Sequence, residues 1–170
     1  TLHPLISVVL PAYNCAPFLA QAIDSILTQT IGDFELLVVY DPSTDQTLEV
    51  IEGYLRKDAR IRLVHGRQER LVGALNLGIA QARGQFIARM DADDISLPSR
   101  FEAQLRLMQE QNLDFCGTQL QMINRDGCLI KEIAMPCITD LITITLACTV
   151  PFAHGSVMIR KNFLQSHALH

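Results

Sequence analysis

Gln85-Phe86-Ile87-Ala88-Arg89-Met90-Asp91-Ala92-Asp93-Asp94 decides how this chain is read. A short, largely apolar run, the pattern of a strand buried on both faces, ends in three acids within four residues. Upstream, the same grammar repeats. Leu5-Ile6-Ser7-Val8-Val9-Leu10 is a first strand, and Asn14 to Pro17 reads as a turn with Pro17 near a helix start. Phe18, Leu19, Ala22, Ile23, Ile26 and Leu27 then share one helical face. Phe34 to Val39 is a second strand, ending at Tyr40-Asp41. Ser43-Thr44-Asp45-Gln46 has the spacing of a capping box before a helix carrying Leu48, Ile51 and Leu55. Ile61 to Val64 is a third strand, and Leu71, Leu75 and Ile79 mark a third helix with Gly84 as its stop. Strand–helix alternation at this spacing predicts right-handed βαβ units: an α/β fold with a mostly parallel sheet flanked by helices. Ligands of such sheets lie beyond the carboxyl ends of the strands. Three polar clusters fall at those ends, Tyr13-Asn14, Asp41 and Asp91 to Asp94.

Downstream of Asp94 the grammar changes. Pro98, Phe101, Leu105 and Met108 make a fourth helix. Asp114 to Asn124 reads as one strand, Arg125-Asp126-Gly127 as a tight turn and Cys128 to Ala134 as the return. Asp140 is placed to cap a short helix over 141–146, Phe152 to Ile159 reads as a last strand, and Lys161 opens a helix. No repeat, low-complexity tract or linker divides the 170 residues, which suit one domain.

Composition narrows the function. With 49% hydrophobic and 19% charged residues the chain is no disordered segment, and nine glycines without a heptad pattern exclude collagen-like and coiled-coil arrays. A net charge of −4 argues against a protein that grips bare nucleic acid. No stretch approaches the 20 or so apolar residues that span a bilayer. Cys15, Cys116, Cys128, Cys137 and Cys148 are odd in number, lack a Cys-x-x-Cys and have apolar neighbours, so reduced, buried thiols are expected.

Clustered carboxylates repel one another unless a cation shares their site. Asp91, Asp93 and Asp94 therefore point to Mg²⁺ or Mn²⁺ bridging protein carboxylates and substrate phosphates. The competing account is a solvated, Asp-rich turn that caps the helix after Pro98. Neither G-x-x-x-x-G-K-[ST], G-x-G-x-x-G nor G-x-S-x-G occurs, which removes P-loop, dinucleotide and nucleophile-elbow readings. His65 reads as a satisfied strand-end residue; His154, before Gly155-Ser156, keeps both a structural and a functional account.

Together these tags, in order, resemble family 2 glycosyltransferases with their GT-A fold. The resemblance is carried by Ile6 to Asn14, Ser25 to Thr30 with Phe34-Glu35-Leu36, and Asp41-Pro42-Ser43-Thr44-Asp45. Ala74-Leu75-Asn76-x-Gly78, Ala82-x-Gly84 and Ala88 to Asp94 continue it, strongly over about 5–110 and more weakly at Phe152 to Arg160. It implies a nucleotide-sugar donor site in which Pro11 and Tyr13 flank the base and Asp41 accepts a hydrogen bond from a uracil-type imide. Asp91 would hold ribose or metal and Asp93 the metal on the diphosphate, with Ala92 between them. Asn14 and Arg70 are further candidate contacts, although Arg70 equally suits a solvated charge opening the third helix. Tyr40 and Pro42 depart from the family, which has two acids where Tyr40-Asp41 stands, Asp41 matching the second, and Gly or Asn at Pro42.

The implied reaction is inverting, metal-assisted transfer of a sugar from a UDP-type donor to a glycan or lipid-linked acceptor hydroxyl, in cell-surface polysaccharide synthesis. A sugar nucleotidyltransferase would need a Gly-rich loop where Pro11-Ala12-Tyr13-Asn14-Cys15 stands; a non-catalytic nucleotide-binding module would not need intact Asp41, Asp91 and Asp93. The expected organisation is a nucleotide-binding part over 5–97 and the start of an acceptor part over 98–170. The family's catalytic base is expected beyond His170, since no Asp or Glu follows Asp140; Asp94, Asp140, His154, His167 and His170 are the stand-ins. A cytoplasmic location is expected, with peripheral association at the inner membrane face and self-association through exposed apolar surface.

Overall fold

The computed structural model describes residues 3–137 and 151–167, with 142 and 145 between them. Four parallel strands form its centre: β1 (Ile6–Ala12), β2 (Phe34–Tyr40), β3 (Ile61–His65) and β4 (Phe86–Arg89). The helices between them are α1 (Ala16–Leu27), α2 (Thr47–Leu55) and α3 (Arg70–Gln81). After β4 come α4 (Arg100–Glu110), β5 (Phe115–Cys116), β6 (Leu120–Ile123), β7 (Leu129–Ile133), β8 (Met158–Arg160) and α5 (Lys161–Ser166). The main sheet runs β3-β2-β1-β4-β8-β5, parallel until β8 enters antiparallel to β4 and β5; β6 and β7 form a separate hairpin.

Every residue of β2 and nearly every residue of β1 is buried, as unbroken apolar runs require when helices cover both faces. Val8, Leu10, Leu36, Val38 and Ala88 face a core with Leu19, Ile23, Ile26, Ile51, Phe101 and Met108 from α1, α2 and α4. Val9, Leu37, Val39 and Ile87 face the other way, onto Ala74 and the partly buried Leu75 and Leu77 of α3. Each large side chain so buried contributes about 1.5–3 kcal/mol. The register pairs Ala12 with Tyr40 and Val9 with both Leu37 and Arg89, so β1, β2 and β4 end along one edge. The α/β, parallel-sheet expectation holds.

Several local expectations do not. No capping box forms before α2: Gln46 caps nothing, and the Asp45 carboxylate accepts the Thr47 N–H (3.1 Å) and, across the loops, the Ala16 N–H (3.0 Å). Asp has two acceptor oxygens and so serves two helix starts at once. Gly84 does not stop α3, which ends at Gln81 with Ala82 already extended; its N–H instead donates to the Ser7 hydroxyl at 2.7 Å, against the start of β1. Leu71, expected on the buried stripe of α3, is exposed, and the close contact with the sheet is made by Ala74 and Gly78. The expected strand Asp114 to Asn124 is broken at Gly117-Thr118 into β5 and β6, because Ser156 Oγ takes the Thr118 N–H (3.0 Å) away from any ladder. Phe152 to Ile159 is a single 3₁₀ turn, His154–Ser156, followed by three strand residues. Cys15 and Cys116 are buried free thiols, whereas Cys128 and Cys137 are exposed on or after the hairpin, where among the described residues no helix covers them. Cys148, Asp140, His170 and most of the helix expected over 141–146 lie outside the described residues.

Candidate functional site

A cleft of about 710 Å³ opens at the carboxyl edge of β1, β2 and β4. Pro11, Tyr13, Asn14, Asp41, Arg70, Asp91, Ala92 and Asp93, the residues singled out from sequence, all line it. They arrive from four chain segments because a parallel sheet delivers its strand ends to one side.

The loop after β1 is tied to the loop after β2. Asn14 adopts φ +46°, a left-handed conformation that Asn tolerates, and its Oδ1 accepts the Thr44 N–H at 2.8 Å while its own N–H donates to Ser43 Oγ at 3.0 Å. Cys15 donates its N–H to Thr47 Oγ1 (3.0 Å), and burial pushes its thiol pKa up. Asn14 thus spends its side chain on the loop, leaving Tyr13, 62% exposed, as the flat surface at the mouth.

Asp41 is buried at the end of β2. Its N–H donates to the Ala12 carbonyl (3.0 Å), and its Oδ1 accepts the Gln68 N–H (3.0 Å). Gly66 makes this possible: a Cβ there would sit 2.1 Å from Asp41 Oδ1 and 3.1 Å from the Tyr40 carbonyl. Tyr40, where the family has an acid, is occupied by structure. Its hydroxyl accepts the Ser43 N–H at 3.1 Å and its ring meets His65 edge-on at 6.4 Å. Gln68 and Arg70 both stand at φ +59°, so the loop into α3 holds two non-glycine residues in a costly conformation beside the cleft. Gln68 was invisible to sequence reading because it works through its backbone N–H. Phe18 and Leu71, read as core, instead give the cleft its apolar wall; their apolarity carried no sign of which.

The acid loop is balanced by two arginines. Arg89 Nη2 lies 2.9 Å from Asp91 Oδ1. Arg100, buried under the loop, donates to the Arg89 carbonyl (2.7 Å) and Gln104 Oε1 (3.0 Å). Burial lowers its pKa to about 10 although Asp94, Cys116 and Asp91 pull it up. Asp94 is open to solvent on one side; desolvation of the other and the charges of Asp91 and Asp93 raise its pKa. Desolvation and Arg89 lower that of His154, against the pull of Asp91. Asp93 is exposed, and among the described residues no cation pairs with it. Nor do three or more His, Cys, Asp or Glu among those residues converge into a ready-made metal cage. A hard divalent cation would take Asp93 as its protein ligand here, together with ligand phosphates. Of the stand-in bases, His167 lies away from the cleft, stacked on Phe163 at 4.3 Å. Among the described residues no helix is long and apolar enough to cross a membrane.

Comparison with known proteins agrees with this geometry. An uncharacterized glycosyltransferase of Rickettsia felis is 37% identical over 153 residues, 90% of this chain and 25% of the relative. The O-antigen biosynthesis glycosyltransferase WbnJ of Escherichia coli is 32% identical over 161 residues, covering 94% of this chain and 63% of WbnJ. The chain thus spans a quarter to under two thirds of these relatives. The crystal structure of S. aureus TarS 1-349 in complex with UDP superposes with a TM-score of 0.74 at 22% identity, over 97% of this chain and 49% of TarS, and shares its GT-A fold. The sequence profile described as glycosyl transferase family 2 matches residues 7–166, and the chain belongs to that family.

Proposed function

We propose that this chain carries the donor site of an inverting glycosyltransferase that moves a sugar from a UDP-type nucleoside diphosphate to an acceptor hydroxyl. The observation that carries the reading is the meeting, in one cleft, of an exposed aromatic ring, a buried carboxylate and an uncompensated one. Tyr13 offers a stacking face for the base. Asp41 has one oxygen committed to Gln68, which leaves the other to accept the single imide N–H of uracil. Asp93 would hold Mn²⁺ or Mg²⁺ at the diphosphate. When bound, that ion neutralises the leaving diphosphate as a Lewis acid. In the transfer, the acceptor oxygen attacks the anomeric carbon, the bond to the diphosphate breaks and its electron pair leaves with the phosphate. The acceptor proton passes to a general base.

The donor part spans about 5–97 and the acceptor part begins at 98–170. The acceptor is a glycan or lipid-linked sugar, by likeness to WbnJ, named for O-antigen biosynthesis. The same proposal has the reaction run in the cytoplasm, with peripheral docking at the inner membrane face and self-association.

Calorimetric titration with UDP tests the core of this reading. Mn²⁺ is expected to tighten UDP binding by tenfold or more over EDTA, and Asp93→Ala to remove that difference, a loss of about 2 kcal/mol. Equal affinity with and without EDTA in the unmodified chain refutes the metal bridge.

A further inference from the structure

Arg89 closes β4 with its backbone held on both sides: its N–H donates to the Val157 carbonyl at 2.8 Å and its carbonyl accepts from Arg100. Its side chain is buried, yet among the described residues its Nε has no hydrogen-bond partner. A buried cation with an idle N–H is poor packing; an apolar side chain fills such a place at lower cost. What the guanidinium does make is the 2.9 Å contact to Asp91 Oδ1. The other carboxylate oxygen is bounded as closely. Gly155 lies so near that a Cβ would stand 2.5 Å from Asp91 Oδ2 and 3.0 Å from Asp94 Oδ2.

The turn that presents Gly155 is itself anchored. Ser156 Oγ donates to the Ala153 carbonyl at 2.8 Å, and the Ser156 carbonyl accepts from Gln104 of α4 at 2.9 Å. We propose that Arg89 is a positioning residue for Asp91, forming with the Gly155 backbone a two-sided clamp that aims this carboxylate at the ribose hydroxyls of the nucleotide. The inference rests on reading the cleft as a nucleotide site. Its physical content is twofold. Arg89 offsets the charge of Asp91, so that Asp93 alone remains to attract a cation. The clamp also removes the rotational freedom that Asp91, about one third exposed, would otherwise lose on binding.

The test compares UDP with 2′,3′-dideoxy-UDP by calorimetry in EDTA, so that no metal enters the readout. The unmodified chain is expected to prefer UDP by about tenfold or more, the scale of hydrogen bonds to a charged group. Arg89→Met, which removes the ion pair, and Gly155→Ala, which drives a methyl against Asp91 from the other side, should each bring the ratio close to one. Arg89→Lys should restore part of it. Arg89→Met added to Asp91→Ala should cost nothing further, because Arg89 acts through Asp91. If the unmodified chain binds both ligands equally, the ribose reading of Asp91 fails and takes the clamp with it. If it discriminates and folded Arg89→Met still does so, the clamp alone is overturned. Should Arg89→Met not fold, a retained preference in Gly155→Ala overturns it equally.

Discussion

Gly66→Ala offers a sharp test of how the base is read, because it leaves every proposed ligand contact in place by name. The new Cβ would lie 2.1 Å from Asp41 Oδ1 and 2.8 Å from its Cγ. A carbon–oxygen contact settles near 3.3 Å, so the carboxylate or the loop must yield by roughly 1 Å. The Tyr40 carbonyl at 3.1 Å blocks an easy backbone retreat, and Gly66 itself donates to that carbonyl at 2.8 Å. Displacement by roughly 1 Å takes the 3.0 Å bond from Gln68 out of hydrogen-bonding range and turns the second oxygen away from the base. A hydrogen bond to a charged acceptor is worth about 1.5–3 kcal/mol, which is about ten- to a hundredfold in UDP affinity. Pyrophosphate, which has no base, should bind the variant as it binds the parent. Calorimetry with both ligands decides the matter. UDP affinity within twofold of the parent, in a variant whose melting temperature is unchanged, would falsify the assignment of Asp41 to the base.

Tyr13→Ala should weaken UDP by about 1–3 kcal/mol, the scale of base–aromatic stacking, and spare pyrophosphate; equal losses for both ligands exclude a stacking platform. Acid stability is expected to depend on Glu35, buried at the opposite end of the sheet. Burial raises its pKa, but hydrogen bonds from Ser7 (2.6 Å), the Arg83 N–H (2.7 Å) and Arg62 outweigh that and hold it below 4.5. A depressed folded-state pKa gives stability that is present above the unfolded value near 4.5 and lost as pH falls through the folded one. Glu35→Gln should therefore cost about 1–3 kcal/mol at neutral pH and flatten the fall in melting temperature below pH 5; parallel pH profiles for the two proteins contradict this.

Legibility followed the length of the signal. Continuous apolar runs such as Phe34 to Val39 can be little other than buried parallel strands, and their polar ends mark a sheet edge, so the cleft could be placed before any coordinates. The hairpin after Gly117 and the helix from Lys161 were legible too, but β5 and β8 were not, because two and three residues are too few to show a period. Sequence reading also failed where tertiary partners override local chemistry. Ser43 and Asp45 are both good caps, but the Ser43 hydroxyl is taken by the Asp41 carbonyl and by the Asn14 N–H from 29 residues earlier, which leaves the Thr47 N–H to Asp45. The grip on Asp91 was beyond reach for a similar reason: Arg89 looks like one polar residue in a strand until Gly155 arrives opposite.

The late, antiparallel entry of β8 has a consequence for how the chain is made. β1 to β4 close on one another within the first ninety or so residues, but the free edge of β4 finds its partner only when Met158 to Arg160 have been synthesised. Through that interval a nascent chain carries an open strand, Phe86-Ile87-Ala88-Arg89, whose unmet backbone groups can template pairing with another chain. The closing contact joins residues 70 to 74 apart in sequence, so it forms late and leaves the edge open to misassembly until it does. The acid loop hangs from that edge, and its geometry is complete only when β8 has docked.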